Sequence, residues 1–307
     1  STEDLLTICG DNFSSETPTI IANFGQNPSF GGTVAAGTNA DASGKGLFKY
    51  AVPSGFLALC EDNLPTPAIA DPGKYFKTVL YSGDNSAGRR ISDVGFQPDM
   101  VWIKARNATP SHILTDSVRG IGHQLSPDDA GAEVDSGTFY LTSFADNGFD
   151  LGDGANSGGN TTGRNYVAWC WKAGGAAVSN TDGSITSQVS ANQTAGFSIV
   201  SYTANETSGA TVGHGLGKTP KMIIVKQRLV NANNWPVYHA STGNTKALYL
   251  DLPNPEGGDF TGAWNNTSPT SSVFSLGNSN ETNRDTGNFI AYCWAEIEGF
   301  SKFGSYV

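Results

Sequence analysis

A seven-residue pattern that occurs twice, Asn165-Tyr-Val-Ala-Trp-Cys-Trp171 and Asn288-Phe-Ile-Ala-Tyr-Cys-Trp294, constrains this chain more than any other feature. Successive side chains of a strand point to opposite faces, so Val167, Trp169 and Trp171 share one face and Tyr166, Ala168 and Cys170 the other. Both faces are apolar. A strand apolar on both sides is normally covered on both sides, which predicts that the two stretches are interior strands of two related units.

The flanking sequence repeats in the same order. Phe76–Tyr81 matches Phe197–Tyr202, Pro98–Arg106 matches Pro220–Arg228, Ser111–Ser117 matches Trp235–Ser241 and Phe149–Gly152 matches Phe274–Gly277, at offsets of 121 to 125 residues. Such a register predicts two copies of one β unit. Glycine is abundant (38), charged residues are sparse (15%), and Asn, Ser and Thr fill the gaps between apolar runs, as in short strands joined by tight turns. No run of ten or more residues keeps a capped 3.6-residue period. The expected fold is all-β, with tandem antiparallel β-sandwich domains. A leading segment (1–65) is followed by a Pro-rich linker (66–75), repeat 1 (76–175), a linker or edge strand (176–196) and repeat 2 (197–307). Within the leading segment, Thr19–Gly25 reads as a strand, and the opening residues read as the tail of something already begun.

The net charge of −10 and the pI near 4.7, with only 18 dispersed Lys and Arg, argue against nucleic-acid binding. No stretch reaches the ~18–20 apolar residues of a membrane span, so membrane insertion is not expected. The four cysteines form no CxxC pair. Cys170 and Cys293 hold equivalent places and read as small buried apolar residues of two cores rather than as a disulfide.

Catalytic signatures are missing, and no enzymatic activity is expected. Gly213–Thr219 lacks phosphate-loop spacing and precedes a strand, so it reads as a turn. His112, Asp116 and Ser117 have the residue types of a triad but no nucleophile elbow accompanies them. Lys104/Arg106 and Lys226/Arg228 recur on one strand face. Their stems are expected to cover apolar surface while the heads meet a carboxylate such as Asp116 or a strand-end carbonyl. Two oxygen-rich loops, Asp146–Asn156 and Asn278–Asp285, are candidate calcium hosts, with Asp150, Asp153 and Asn156 as ligands, although Asn/Asp/Gly clusters are equally turn chemistry. Trp235, His239, Trp264, Asn265 and Asn266 form a candidate carbohydrate site of aromatic faces and amides. Trp264 lies in a turn-forming neighbourhood and is expected to keep a face free, whereas Trp235 is equally suited to a core.

Gly95–Lys104, Asp116–Gly120, Tyr166–Gly174 and Trp235–His239 together resemble a repeated β domain of structural and tail-fibre proteins of marine bacteriophages, a likeness that runs from about Phe76 to Tyr306. The stretch ending Pro53–Pro65 resembles the closing strands of a SPRY or concanavalin-like sandwich, making 1–65 a partial unit. The resemblance implies concanavalin or jelly-roll-like sandwiches in a non-enzymatic virion protein. Its implied role is that of a tail-fibre or adhesin module recognising a host cell-surface glycan. The alternative is a structural or capsid-decoration module with no specific external ligand. Implied partners are other virion proteins and further copies of the chain, three in a fibre. No cofactor is implied beyond the candidate calcium.

Overall fold

The computed structural model describes all residues except 1–23, 30, 31, 33, 153–158, 256–259 and 307. The chain divides into a unit ending at Thr66 and a larger unit from Pro67 to Val307.

The smaller unit is organised by one carboxylate. Asp41 is 7% exposed and accepts bonds from the backbone N–H of Ser43 (2.9 Å), Lys45 (2.8 Å) and Ala58 (2.7 Å), the Ser43 hydroxyl (2.7 Å) and the Asn63 amide (2.7 Å). Burial pushes its pKa up, but the bonds from Ala58, Ser43, Lys45 and Asn63 outweigh that and hold it far below the ordinary carboxylate range. The closing strands expected here are not formed: among the described residues the unit's only ladder contact is the Asn39–Phe48 bridge. Prolines lacking an N–H, together with the capture of the Ala58 N–H by Asp41, leave little backbone for a ladder. Residues 19–23 of the expected first strand lie outside the described residues.

In the larger unit the first half contributes Phe76–Ser82 (β1), Arg89–Ile91 (β2), Met100–Ala105 (β3), Ile113–Asp116 (β4), His123–Gln124 (β5), Val134–Asp135 (β6), Leu141–Ala145 (β7), Gly148–Leu151 (β8) and Asn165–Trp171 (β9). The connection carries Val178–Asn180 (β10) and Ser187–Asn192 (β11). The second half contributes Phe197–Thr203 (β12), Thr211–Gly213 (β13), Pro220–Gln227 (β14), Pro236–His239 (β15), Leu248–Tyr249 (β16), Val273–Ser275 (β17) and Asn288–Ala295 (β18). Two single-turn helices, Thr261–Trp264 (α1) and Asn280–Asn283 (α2), interrupt it.

All named strand pairs are antiparallel, and the order β1-β9-β3-β4 of the first half recurs as β12-β18-β14-β15 in the second. Registers recur too. Phe76 faces Trp171 as Phe197 faces Trp294, and Val79 faces Ala168 as Val200 faces Ala291. Smaller sheets, β2-β8-β7 and β13-β17, complete each half. The expected connecting strand is present as β11, which the hairpin partner β10 extends.

The doubly apolar strand β18 serves two cores, whereas β9 buries one face and leaves Val167 and Trp169 half-exposed on the other. Tyr166, Ala168 and Cys170 pack with Val79, Ile103 and Phe149 inside the first half, and Phe289, Ala291 and Cys293 pack with Val200, Val225 and Phe274 inside the second. The opposite face of β18, with Ile290 and Tyr292, joins Met100, Leu114, Phe197, Ile224 and Trp235 in a third core drawn from both halves, against which Trp171 and Trp294 pack. The halves are therefore fused along their main sheets, which is why they form one unit rather than beads on a linker.

Candidate functional site

The residues singled out from the sequence do not converge. Trp235 is fully buried in the third core, where its indole N–H donates to the Asp129 carbonyl (3.0 Å) and the Lys226 ammonium lies 5.4 Å from the ring centre. Trp264 is 2% exposed in the core of the second half, edge-on to Tyr238 at 5.9 Å. The expectation of a free Trp264 face is thus corrected. Asn265 and Asn266 adopt left-handed φ values of 53° and 49°, reversing the chain directly after α1 and leaving the indole turned inward. Asn265 accepts a bond from the Ser208 hydroxyl (3.0 Å), Asn266 is exposed, and the His239 ring accepts from the Ser241 N–H (3.2 Å) and stands 6.3 Å from Phe303. Since the two tryptophans belong to different cores, these five residues do not share one surface.

Asp150 is an ion-pair partner: Arg90 grips it through Nε and Nη2 (3.0 Å to the second nitrogen), and the Ser143 hydroxyl donates to it at 2.6 Å. The Arg90 bond holds its carboxyl below the ordinary range. Asp153 and Asn156 lie outside the described residues, among which no cluster of three or more His, Cys, Asp or Glu is placed to hold a metal. In the equivalent loop, Ser279 caps α2, and the buried Asn283 amide donates to the Thr207 (3.0 Å) and Gly277 (2.7 Å) carbonyls.

The repeated basic residues end on structural partners. Lys104 donates to the Pro110 carbonyl (2.7 Å), and Lys226, fully buried, donates to the Asn233 carbonyl. Burial pushes the Lys226 ammonium down to about 8, against the opposing pull of Asp251, Asp129 and Glu281. Arg228 forks onto Glu133 at 2.9 and 2.7 Å. Glu133 also accepts from Arg119 (3.0 Å), whose Nε bonds Asp116 at 2.6 Å, and Asp116 in turn accepts the Tyr292 hydroxyl at 2.7 Å. This buried chain of charges runs from the first half to Arg228, just past the end of β14, and to Tyr292 of β18 in the second. Its members are too far apart in sequence for local pattern to reveal it. His112, Asp116 and Ser117 are correspondingly dispersed: His112 accepts from the Trp102 indole (2.8 Å) and Ser117 donates to Asp99 (3.1 Å).

What the repeats do bring together is a set of aromatic rings. The cross-strand pairs Phe76–Trp171 and Phe197–Trp294 have centroids 4.9 and 5.1 Å apart. At the seam the equivalent pairs meet, with Trp171 lying 6.3 Å from Trp294 and 6.2 Å from Phe197. These four rings, with Tyr75, Phe300, Ala195 and Ser301, line a half-open cavity of about 180 Å³. The six rings line it mainly with aromatic carbon, and Ser301 is already committed to the Ala295 carbonyl (3.2 Å) and the Ile297 N–H (3.1 Å). A more open groove of about 580 Å³ is lined by Gln97, Asp99, Lys172–Gly175 and Ala191–Gln193. Of its polar groups, Asp99 accepts the Ala173 N–H (2.7 Å) and Gln193 donates to the Gly215 carbonyl (3.0 Å), while Gln97 and Lys172 are exposed at its surface. The aromatic cavity is the better candidate because it is the more enclosed of the two and is built on ring pairs that both repeats contribute. Its sequence signal was present in the repeated Phe and Trp at the ends of paired strands, but which rings would meet across the halves depended on the third core.

Comparison with curated proteins and with solved structures returns no match. Residues 71–307, most of the chain, match the family described as domain of unknown function (DUF7483), and the protein belongs to that family.

Proposed function

We propose that the protein is a non-enzymatic bacteriophage virion module that recognises a host cell-surface glycan, with the ligand seated in the aromatic cavity at the seam rather than at Trp235 and Trp264. The observation that carries this reading is the half-open cavity lined by Tyr75, Phe76, Trp171, Phe197, Trp294 and Phe300. Sugar rings present C–H faces that pack against aromatic carbon, and indole N–H and phenol O–H groups at such a site can meet sugar hydroxyls. At about 180 Å³ the cavity is well below the ~300–1,000 Å³ of drug-sized sites, which suits a single ring. Binding to one ring at millimolar strength is worth only about −4 kcal/mol, and many copies on one particle supply the avidity.

The test is a glycan array followed by ligand-detected NMR on the best binder, repeated with Phe300→Ala and Trp294→Ala, alongside a reducing-sugar release assay. The reading requires binding that both variants weaken while the fold persists, and no sugar release. Binding that survives both variants places the site elsewhere. A second reading, a structural or decoration module without an external ligand, is favoured by the third core and the buried Asp116–Arg119–Glu133–Arg228 chain, both of which make one stiff body of two repeats. An array that is blank throughout selects it.

A further inference from the structure

The two halves differ in how one strand is covered. In the second half β12 is interior: β18 lies on one side, and β11 pairs on the other through Gln188↔Ser201, Val189↔Val200 and Ser190↔Ile199. Its equivalent in the first half, β1, pairs among the described residues with β9 only and ends its sheet. Tyr75 accepts from the Lys172 N–H (2.9 Å) and the Gly83 N–H donates to Arg164 (2.8 Å), which fixes the parity: odd residues of β1 bond β9. Phe76, Thr78, Leu80 and Ser82 therefore turn their N–H and C=O groups outward. They correspond to Phe197, Ile199, Ser201 and Thr203, the residues that turn toward β11 in the second half. Along this edge Lys77, Thr78, Leu80 and Ser82 are exposed, Leu80 by 62%. Among the described residues no strand takes the place of β11 here: Pro72–Lys74 forms a 3-10 turn directly before β1, and the Ala68 N–H is held by the Glu298 carbonyl (3.0 Å).

We infer that the outer edge of β1 pairs antiparallel with the β1 of a second copy of this chain about a two-fold axis through Val79. The repeat itself supplies the template, since the same edge carries an antiparallel strand in the second half. Among the described residues of this unit β1 is also the longest strand with an open side, seven residues against five in β7. Self-pairing is chemically consistent. Thr78 meets Leu80 of the other copy with the outward groups of both bonded, and Phe76 meets Ser82, whose carbonyl already accepts from the Arg89 guanidinium. The single charge, Lys77, opposes Tyr81 and not another Lys77, avoiding like-charge juxtaposition. An unpaired edge with an exposed leucine is the kind of edge that proteins otherwise blunt, and closing it on itself gives a finite dimer rather than a filament. The inferred two-fold contact differs from the three-chain arrangement that the fibre resemblance implies.

The test is sedimentation velocity and native mass spectrometry of the full chain from micromolar to near-millimolar concentration, with Thr78→Pro and Leu80→Lys. Thr78→Pro removes an outward N–H without breaking a bond to β9, and Leu80→Lys places a charge at an exposed position that cannot unfold the chain. The expected result is a reversible dimer that each variant weakens by about tenfold or more, Thr78→Pro through the loss of roughly two backbone bonds and Leu80→Lys through like charges set diagonally across the two-fold axis. A wild-type chain that stays monomeric throughout, open-ended polymers, or a dimer indifferent to both variants would each overturn the inference.

Discussion

Replacing Glu133 by Ala should cost this protein about as much stability as emptying a position of its apolar core. Glu133 accepts one bond from Arg119 (3.0 Å) and two from Arg228 (2.9 and 2.7 Å), and its side chain is 3% exposed. Without it, Arg228, at 18% exposure, can turn partly to water, but Arg119, at 0%, cannot and keeps only Asp116 as a charged partner. Breaking a buried pair by deleting one member costs about 3–5 kcal/mol. The retained Asp116 bond and the partial rehydration of Arg228 place this case near the lower end, about 3 kcal/mol, equivalent to a melting temperature lower by roughly 6–12 °C for a unit of this size. Urea unfolding at neutral pH reads it directly, and a loss below about 1 kcal/mol would refute the claim that this chain of charges binds the two halves together. The pH dependence has a defined sign. Burial pushes the Glu133 carboxyl up, but the bonds from Arg228 and Arg119 outweigh this and hold it below 4.5. Its contribution is therefore present above that value and is lost as the pH falls through the depressed one, so the gap between wild type and Glu133→Ala should narrow in acid.

Trp264→Ala should unfold or destabilise the second half by about 3–5 kcal/mol in calorimetry, because it empties a core rather than a surface site. Lys226→Met should be close to neutral at pH 7, since a flexible apolar chain of similar size replaces a desolvated ammonium. With the Lys226 pKa lowered to about 8, the folded state binds fewer protons than the unfolded one between about 8 and 10.5. Wild-type stability should gain from this group as the pH rises through that window, and the gain should vanish in Lys226→Met. Burial pushes the Cys170 and Cys293 thiols up to about 12, so both should resist a thiol reagent in the native protein and react on denaturation, which a timed labelling assay with peptide mapping would show.

How far the sequence could be read depended on the range of the forces involved. Alternation within Tyr166–Trp171 and Phe289–Trp294 is a local property, and it marked both strands as interior because both faces are apolar whatever covers them. The identity of the cover was not legible: nothing in the pattern of Ile290 and Tyr292 says that they meet Met100 and Leu114 of the other half. Trp264 misled for a related reason. Its neighbours Asn265 and Asn266 marked a turn correctly, but a turn fixes the backbone path and not the side on which the indole lies. The Lys104 and Lys226 heads found backbone carbonyls, but those of loop residues Pro110 and Asn233 rather than of strand ends, while Arg228 found Glu133, 95 residues away, rather than Asp116. The aromatic cavity was half visible, since Phe76/Trp171 and Phe197/Trp294 are repeated pairs, and became a site only when the third core brought the pairs together.

The most direct test of the proposed recognition role is saturation-transfer NMR of the intact protein with the glycan that scores highest on an array, comparing wild type, Phe300→Ala and Trp264→Phe. Recognition at the seam predicts transfer to sugar C–H protons in wild type and in Trp264→Phe, and its loss in Phe300→Ala with the backbone spectrum unchanged. Transfer that persists in Phe300→Ala but disappears in Trp264→Phe would contradict it.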